Sequence, residues 1–153
     1  MLNKKTKYAL RAVMALARRK DEGLVLIADL AESENIPKKF LEQILLDLKR
    51  AGILASTKGK GGGYALGRPA SDISVGAIIR VIEGPLALVP CVSQHSPGVC
   101  EECRNPLACG IRGVMKEVRD QTALILDNTS ILTVIRSEEE LGLALKTNLD
   151  YSI

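Results

Sequence analysis

IADLAESENIPKKFLEQILLDLKRAGILASTKGKGGGYALGRP, residues 27–69, decides the fold. Its middle, Pro37 to about Arg50, predicts a helix: Phe40, Leu41, Ile44, Leu45 and Leu48 recur at spacings of one, three and four and can face a core. Pro37 suits the first turn, where its missing N–H costs nothing. Lys49 and Arg50 stand where the helix dipole favours cations, and Gly52 is near the expected C-terminal cap. Upstream, Ile27 to Glu32 reads as a short helix, Ser33-Glu34-Asn35 as a polar break and Ile36 as an apolar anchor. Downstream, Ile53 to Thr57 and Tyr64 to Leu66 read as strands. The basic tip Lys58-Gly59-Lys60-Gly61-Gly62-Gly63 joins them, and Gly67-Arg68-Pro69 ends the hairpin.

The flanks extend this pattern. Lys5 to Lys20 predicts a first helix with Tyr8, Val13, Leu16 and Ala17 on one face, stopped by Asp21-Glu22-Gly23. After the hairpin, Ser71-Asp72 begin a helix carried by Val75, Ile78, Ile79 and Ile82 and closed by Gly84-Pro85. Pro90 to Gly110 holds three prolines and little periodicity, so it reads as a loop. Ile111 to about Leu126 predicts a longer helix, on which Ile111, Val114, Val118 and Ile125 make a stripe near coiled-coil spacing. Ile131 to Ile153 reads as a short apolar helix or two with a frayed end. The fold class is mainly α with a small β-hairpin. The expected division is a head at 1–84, a cysteine-rich loop at 85–110, a long-helix region at 111–135 and a tail at 136–153.

The 153 residues are 46% hydrophobic and 25% charged, which suits one or two small domains with a buried core. With no Trp, one Phe and three Tyr, that core is aliphatic. No apolar run approaches the roughly 20 residues of a membrane span. The N-terminus is basic, and Arg11, Arg18 and Arg19 interrupt the apolar residues beyond it, which argues against a signal peptide and for a cytoplasmic protein. The net charge of +3 hides a split: residues 1–70 carry 14 Lys and Arg against 7 Asp and Glu, and residues 71–153 carry 7 against 11. A basic half joined to an acidic half suggests that only the first meets a polyanion.

Helix, tight turn, helix and basic hairpin is the order of a winged helix-turn-helix. The major groove of B-DNA is about 12 Å wide and admits one helix that is apolar inside and polar outside. On the Pro37 helix, Lys38, Lys39, Glu42 and Gln43 lie toward the groove-facing part. Gln can read adenine N6/N7, and Glu can accept from cytosine N4. Lys58 and Lys60 among bare glycines can approach phosphate or a narrow minor groove. Singly, each of these residues reads as solvated surface. Their order, their spacing and the basic charge of the first half point together to double-stranded DNA.

All four cysteines, Cys91, Cys100, Cys103 and Cys109, fall within 19 residues. Such a cluster in a cytosolic chain more often binds metal or does redox chemistry than forms structural disulfides. Thiolates serve iron–sulphur clusters and structural zinc alike. The Cys100–Cys103 spacing suits either, though a zinc knuckle usually has two close pairs and this loop has one. Free thiols acting as an oxidation switch are the remaining reading. His95, the one histidine, reads as surface or as a replaceable ligand. An enzyme is disfavoured: there is no convincing nucleophile–base set, and Gly61-Gly62-Gly63 lacks the Lys-Ser/Thr of a phosphate loop.

These residues resemble bacterial winged-helix regulators of the iron–sulphur cluster regulator (IscR-type, Rrf-two) family. The matching pieces are KTKYALRAVMALA at 5–17, IADLAE at 27–32, IPKKFLEQIL at 36–45, LKRAGIL at 48–54 and KGKGGGYALGRPASDISVGAIIRVIEG at 58–84. The resemblance implies a homodimer held by the long helix, a pseudo-palindromic operator and a cluster that controls DNA affinity. It maps three family cysteines onto Cys91, Cys103 and Cys109. The fourth ligand varies among members. A histidine three positions after the third cysteine corresponds here to Arg112, and an N-terminal aspartate of the partner subunit corresponds to Lys7. The resemblance therefore implies Cys100 as fourth ligand in an all-cysteine site, 4Fe–4S in preference to 2Fe–2S. Some members bear no cluster and answer to a small molecule or a protein.

Overall fold

The computed structural model describes residues 2–94, 97–100, 103 and 105–150, with side chains through 145. The elements run α1 (Lys4–Arg18), α2 (Ile27–Ser33), α3 (Lys38–Arg50), β1 (Leu54–Thr57), β2 (Gly63–Leu66), α4 (Val75–Glu83), α5 (Gly110–Asn128) and α6 (Ile131–Asp150). The strands pair antiparallel, with Leu54 opposite Leu66 and Thr57 opposite Gly63.

Each helix of the head has a local cause. Asn3 caps α1 by accepting from the Thr6 N–H at 2.8 Å. The α2–α3 turn closes when Ile36 N–H donates to Ala31 O at 2.9 Å and Asn35 N–H to Glu32 O at 3.1 Å, with Asn35 at φ 48°. The same device ends α3: Ile53 N–H donates to Leu48 O at 3.0 Å and Gly52 N–H to Lys49 O at 2.9 Å, with Gly52 at φ 71°. Both ends are Schellman motifs, and each turns the next residue, Ile36 or Ile53, into the core. The hairpin is anchored near its tip by reciprocal backbone bonds between Val25 and Tyr64, at 2.8 and 2.9 Å. Gly63 permits this approach, because a Cβ there would meet the Val25 carbonyl oxygen at 2.5 Å.

The core gathers Ala9, Ala12, Val13 and Leu16 of α1, Leu30 of α2, Leu41, Ile44, Leu45 and Leu48 of α3, and Ile78 of α4. It is aliphatic, as the composition requires. Ile131 and Ile135 of α6 complete it. The chain is carried back to the head by Ile131 N–H donating to Ile73 O and Val75 N–H to Thr129 O, each at 2.9 Å. An Arg18–Glu138 ion pair closes α6 over α1.

Several expectations change. Phe40 is not in the core: it is 56% exposed. At 100° per residue it lies nearly at right angles to the middle of the Leu41–Ile44–Leu45–Leu48 arc, and those four already fill the space. Pro37 caps α3 from outside rather than opening its first turn. Residues 70–72 form a separate 3-10 turn, and α4 begins at Val75 because Ser74 caps it, accepting from Ala77 N–H at 3.1 Å. The loop contains two further 3-10 turns, Pro90–Val92 and Pro106–Ala108. The segment after Ile131 is one 20-residue helix, not short pieces, because its first turns have the head to pack on.

Two carboxylates tie α1 to its neighbours. Glu83 accepts from the Asn3 N–H at 2.8 Å, and the Thr6 hydroxyl and this N–H hold its carboxyl below the ordinary range. The Lys5 ammonium does the same for Asp47 on α3. Folded values below unfolded ones mean this stability is fully present above the unfolded range, about pH 4–4.5, and is lost as pH falls through the folded values. The melting temperature should be level from neutral pH to about 5 and fall below that. Glu83→Gln should remove part of the fall; an unchanged acid limb would refute the role given to Glu83.

Candidate nucleic-acid interface and thiol site

The register of α3 buries Leu41, Ile44, Leu45 and Leu48, and so turns Lys38, Lys39, Glu42 and Gln43 outward, all exposed. Phe40 joins them, in an apolar hollow it shares with Lys5, Lys39 and Gln43. The Gln43 amide nitrogen donates to Asp47 Oδ1 at 2.8 Å, and Lys5 Nζ pairs with Asp47 Oδ2 at 2.9 Å. At the hairpin tip, Gly62 N–H donates to Gly59 O at 2.9 Å, which places Lys60 at an exposed corner. Lys58 is exposed beside it. Lys49 and Lys58 line one hollow between α3 and the wing. Sequence periodicity puts Phe40 in the core instead, and it does not mark Lys49 or Lys5 as part of this surface. No local pattern brings Lys5 to α3; only the packing of α1 on α3 does.

The four cysteines come to one place. Cys91 sits on the Pro90–Val92 turn, and Cys109 caps the N-terminus of α5, its Sγ accepting from Arg112 N–H at 3.4 Å. Cys91, Cys100 and Cys103 line a cavity of about 210 Å³ together with Gly98, Val99, Pro106 and Arg112. Cys103 N–H donates to Cys100 O at 3.1 Å. Burial and then the nearby Cys109 thiol push the Cys103 thiol up. All four are thiols rather than disulfides, and all are half-buried. Among the described residues no three His, Cys, Asp or Glu stand in metal-holding geometry. Three soft sulphurs around one cavity, with the fourth on Cys109 at the start of α5, are a donor set whose chemistry suits iron–sulphur or zinc. His95 lies outside the described residues. Lys7 is exposed on α1.

The thiol site is wired to the head through α5. Arg119 of α5, its side chain largely buried, donates to the carbonyl of Val92, the residue after Cys91, and pairs with Asp120. At the far end of α5, Asp127 receives Arg80 of α4 bidentately, at 2.5 and 2.9 Å. Along the outside, Ile111, Val114, Val118 and Ile125 are all exposed, as the stripe predicted from spacing requires.

Residues 2–137 match the family model described as Rrf2, iron-dependent transcriptional regulator. The chain belongs to the Rrf2 family. An rrf2-like HTH-type transcriptional regulator of Rhodobacter capsulatus is 39% identical over 134 residues, covering 86% of this chain and 89% of that protein. Among solved structures, CymR, the global cysteine regulator of B. subtilis, superposes with a TM-score of 0.71 at 30% identity, over 90% of this chain and 97% of CymR. IscR of T. potens gives 0.71 at 28% identity, over 92% and 90%. This Rrf2 protein is thus a DNA-binding helix-turn-helix transcriptional regulator with a winged fold, and not an enzyme. Among its described residues no helix is long and apolar enough to cross a membrane.

Proposed function

We propose that the chain is a homodimeric cytoplasmic regulator whose affinity for a pseudo-palindromic double-stranded operator is set by a cysteine-ligated iron–sulphur cluster. The observation that carries this reading is the gathering of Cys91, Cys100 and Cys103 around one cavity, with Cys109 at the N-terminus of α5, the helix bonded to both the cysteine loop and the head. Cys91, Cys103 and Cys109 would hold the group, with Cys100 as fourth ligand and 4Fe–4S favoured over 2Fe–2S. When bound, such a group supplies an iron–thiolate centre sensitive to oxidants, nitric oxide and iron supply. The protein's own part is mechanical. Cys109 fixes where α5 starts, Arg119 holds the backbone beside Cys91, and Arg80–Asp127 passes a change in α5 to α4. The signal shifts the heads only as far as the group prefers one arrangement over the other.

Lys38, Lys39, Glu42 and Gln43 enter the major groove in this reading, and Lys58 and Lys60 lie along phosphates or the minor groove. The exposed stripe of α5 is the seam between two copies. Lys60→Ala should weaken binding on every sequence and lower the salt slope by up to about one unit. An unchanged slope in filter-binding at graded salt would remove Lys60 from the interface.

A second reading rests on the nearness of free Cys103 and Cys109: a metal-free thiol switch that peroxide closes into a disulfide. Iron, sulphide and zinc content of protein purified without oxygen separates the readings. Near-stoichiometric iron and sulphide, with DNA affinity that changes when they are removed, supports the cluster. One zinc without sulphide makes the loop structural. No metal, with loss of two hydrogens localised to the Cys103 and Cys109 peptides on oxidation, supports the switch.

A further inference from the structure

We propose that Asp47 is a positioning residue that fixes which way the Gln43 amide points, so that the Lys5–Asp47–Gln43 chain sets base preference at one position of the bound site. This rests on the placement of α3 in the major groove proposed above.

The reason is chemical. The two ends of a glutamine amide are alike in size and opposite in hydrogen bonding. A glutamine held only by solvent presents either end and must give up that freedom to chelate adenine, which weakens its discrimination. An ionised carboxylate only accepts. With Asp47 Oδ1 at 2.8 Å, the amide end facing it must be the nitrogen. That leaves Oε1 and one N–H of Gln43 for an outside partner, the acceptor–donor pair that adenine N6 and N7 match. Lys5 Nζ, 2.9 Å from Oδ2, occupies the other carboxylate oxygen, and Arg50 stands 3.9 Å from Oδ1. Lys5 also holds the carboxyl below its usual range, so Asp47 stays an acceptor at neutral pH. An ion pair this exposed adds little stability. Its effect is orientation, supplied from another helix 42 residues earlier.

Asp47→Asn tests this, because asparagine keeps the shape but can donate as well as accept. The full chain and its Gln43→Ala, Asp47→Asn and doubly substituted variants select from a pool of randomised double-stranded DNA. Binding to the enriched site and its single-base variants is then measured. Gln43→Ala should erase a preference on the order of ten-fold at one position. Asp47→Asn should lower the same preference several-fold at that position alone, and the double variant should look like Gln43→Ala. If Asp47→Asn keeps the preference, or loses affinity equally on all sequences, the positioning role is wrong while the interface stands. If Gln43→Ala leaves every preference intact, or the unaltered chain enriches no sequence, the reading of α3 itself fails.

Discussion

Cys103→Ser is expected to reduce the iron and sulphide taken up on anaerobic reconstitution to near background, with helix content unchanged. Cys103 is where the site converges. Its side chain shares a cavity with Cys91 and Cys100 and lies near the Cys109 thiol, and its N–H is bonded to Cys100. Serine keeps the size and gives up the soft thiolate that iron–sulphur chemistry uses. The loop is half exposed, so stability should move by no more than about 0.5 kcal/mol. Full iron in this variant would place the group elsewhere. Cys100→Ser is the finer comparison: full iron there would leave three cysteines and some other fourth ligand.

Leu45→Ala should cost about 2–5 kcal/mol, read by urea unfolding, and lower the melting temperature by roughly 5–15 °C. Leu45 is fully buried on α3, whose hold on the head rests on four side chains, Leu41, Ile44, Leu45 and Leu48. Removing one leaves a cavity in the aliphatic core of the head. DNA binding should weaken as well, since the polar face of α3 is held in place by the apolar one. Phe40→Ala on the same helix should change stability by less than about 1 kcal/mol, because the ring is mostly in solvent. A cost below about 1 kcal/mol for Leu45→Ala would contradict the packing described.

How much of the molecule is legible in its sequence depends on the range of the forces. Local signals suffice for the helices of the head, because spacing and caps such as Gly52 act within one turn. The outward placement of Lys38, Lys39, Glu42 and Gln43 comes from that same register. Phe40 escapes this logic because periodicity shows which positions neighbour one another, not where the buried arc ends. The length of α6 escapes it because Glu138, Glu139 and Glu140 interrupt the apolar pattern, and its packing on α1 involves residues more than a hundred positions away. The clustering of the cysteines is visible in their spacing. The bond from Arg119 to Val92 and the pairing of Lys5 with Asp47 are tertiary facts with no signature in the sequence.

The closure of the head by Ile131 and Ile135 bears on how the protein is born. A ribosome adding about 5–20 residues per second finishes α1 to α4 roughly 2–10 seconds before it delivers Ile131. During that interval the nascent chain has the face of a regulator but not its whole core, and the Ile73 carbonyl still lacks the N–H it receives in the finished fold. Delivery of Ile131 and Ile135 is therefore what completes the core of the head. A prematurely terminated copy ending in the cysteine loop would be a loosened head without α5 or α6, a target for proteolysis before it could compete for an operator.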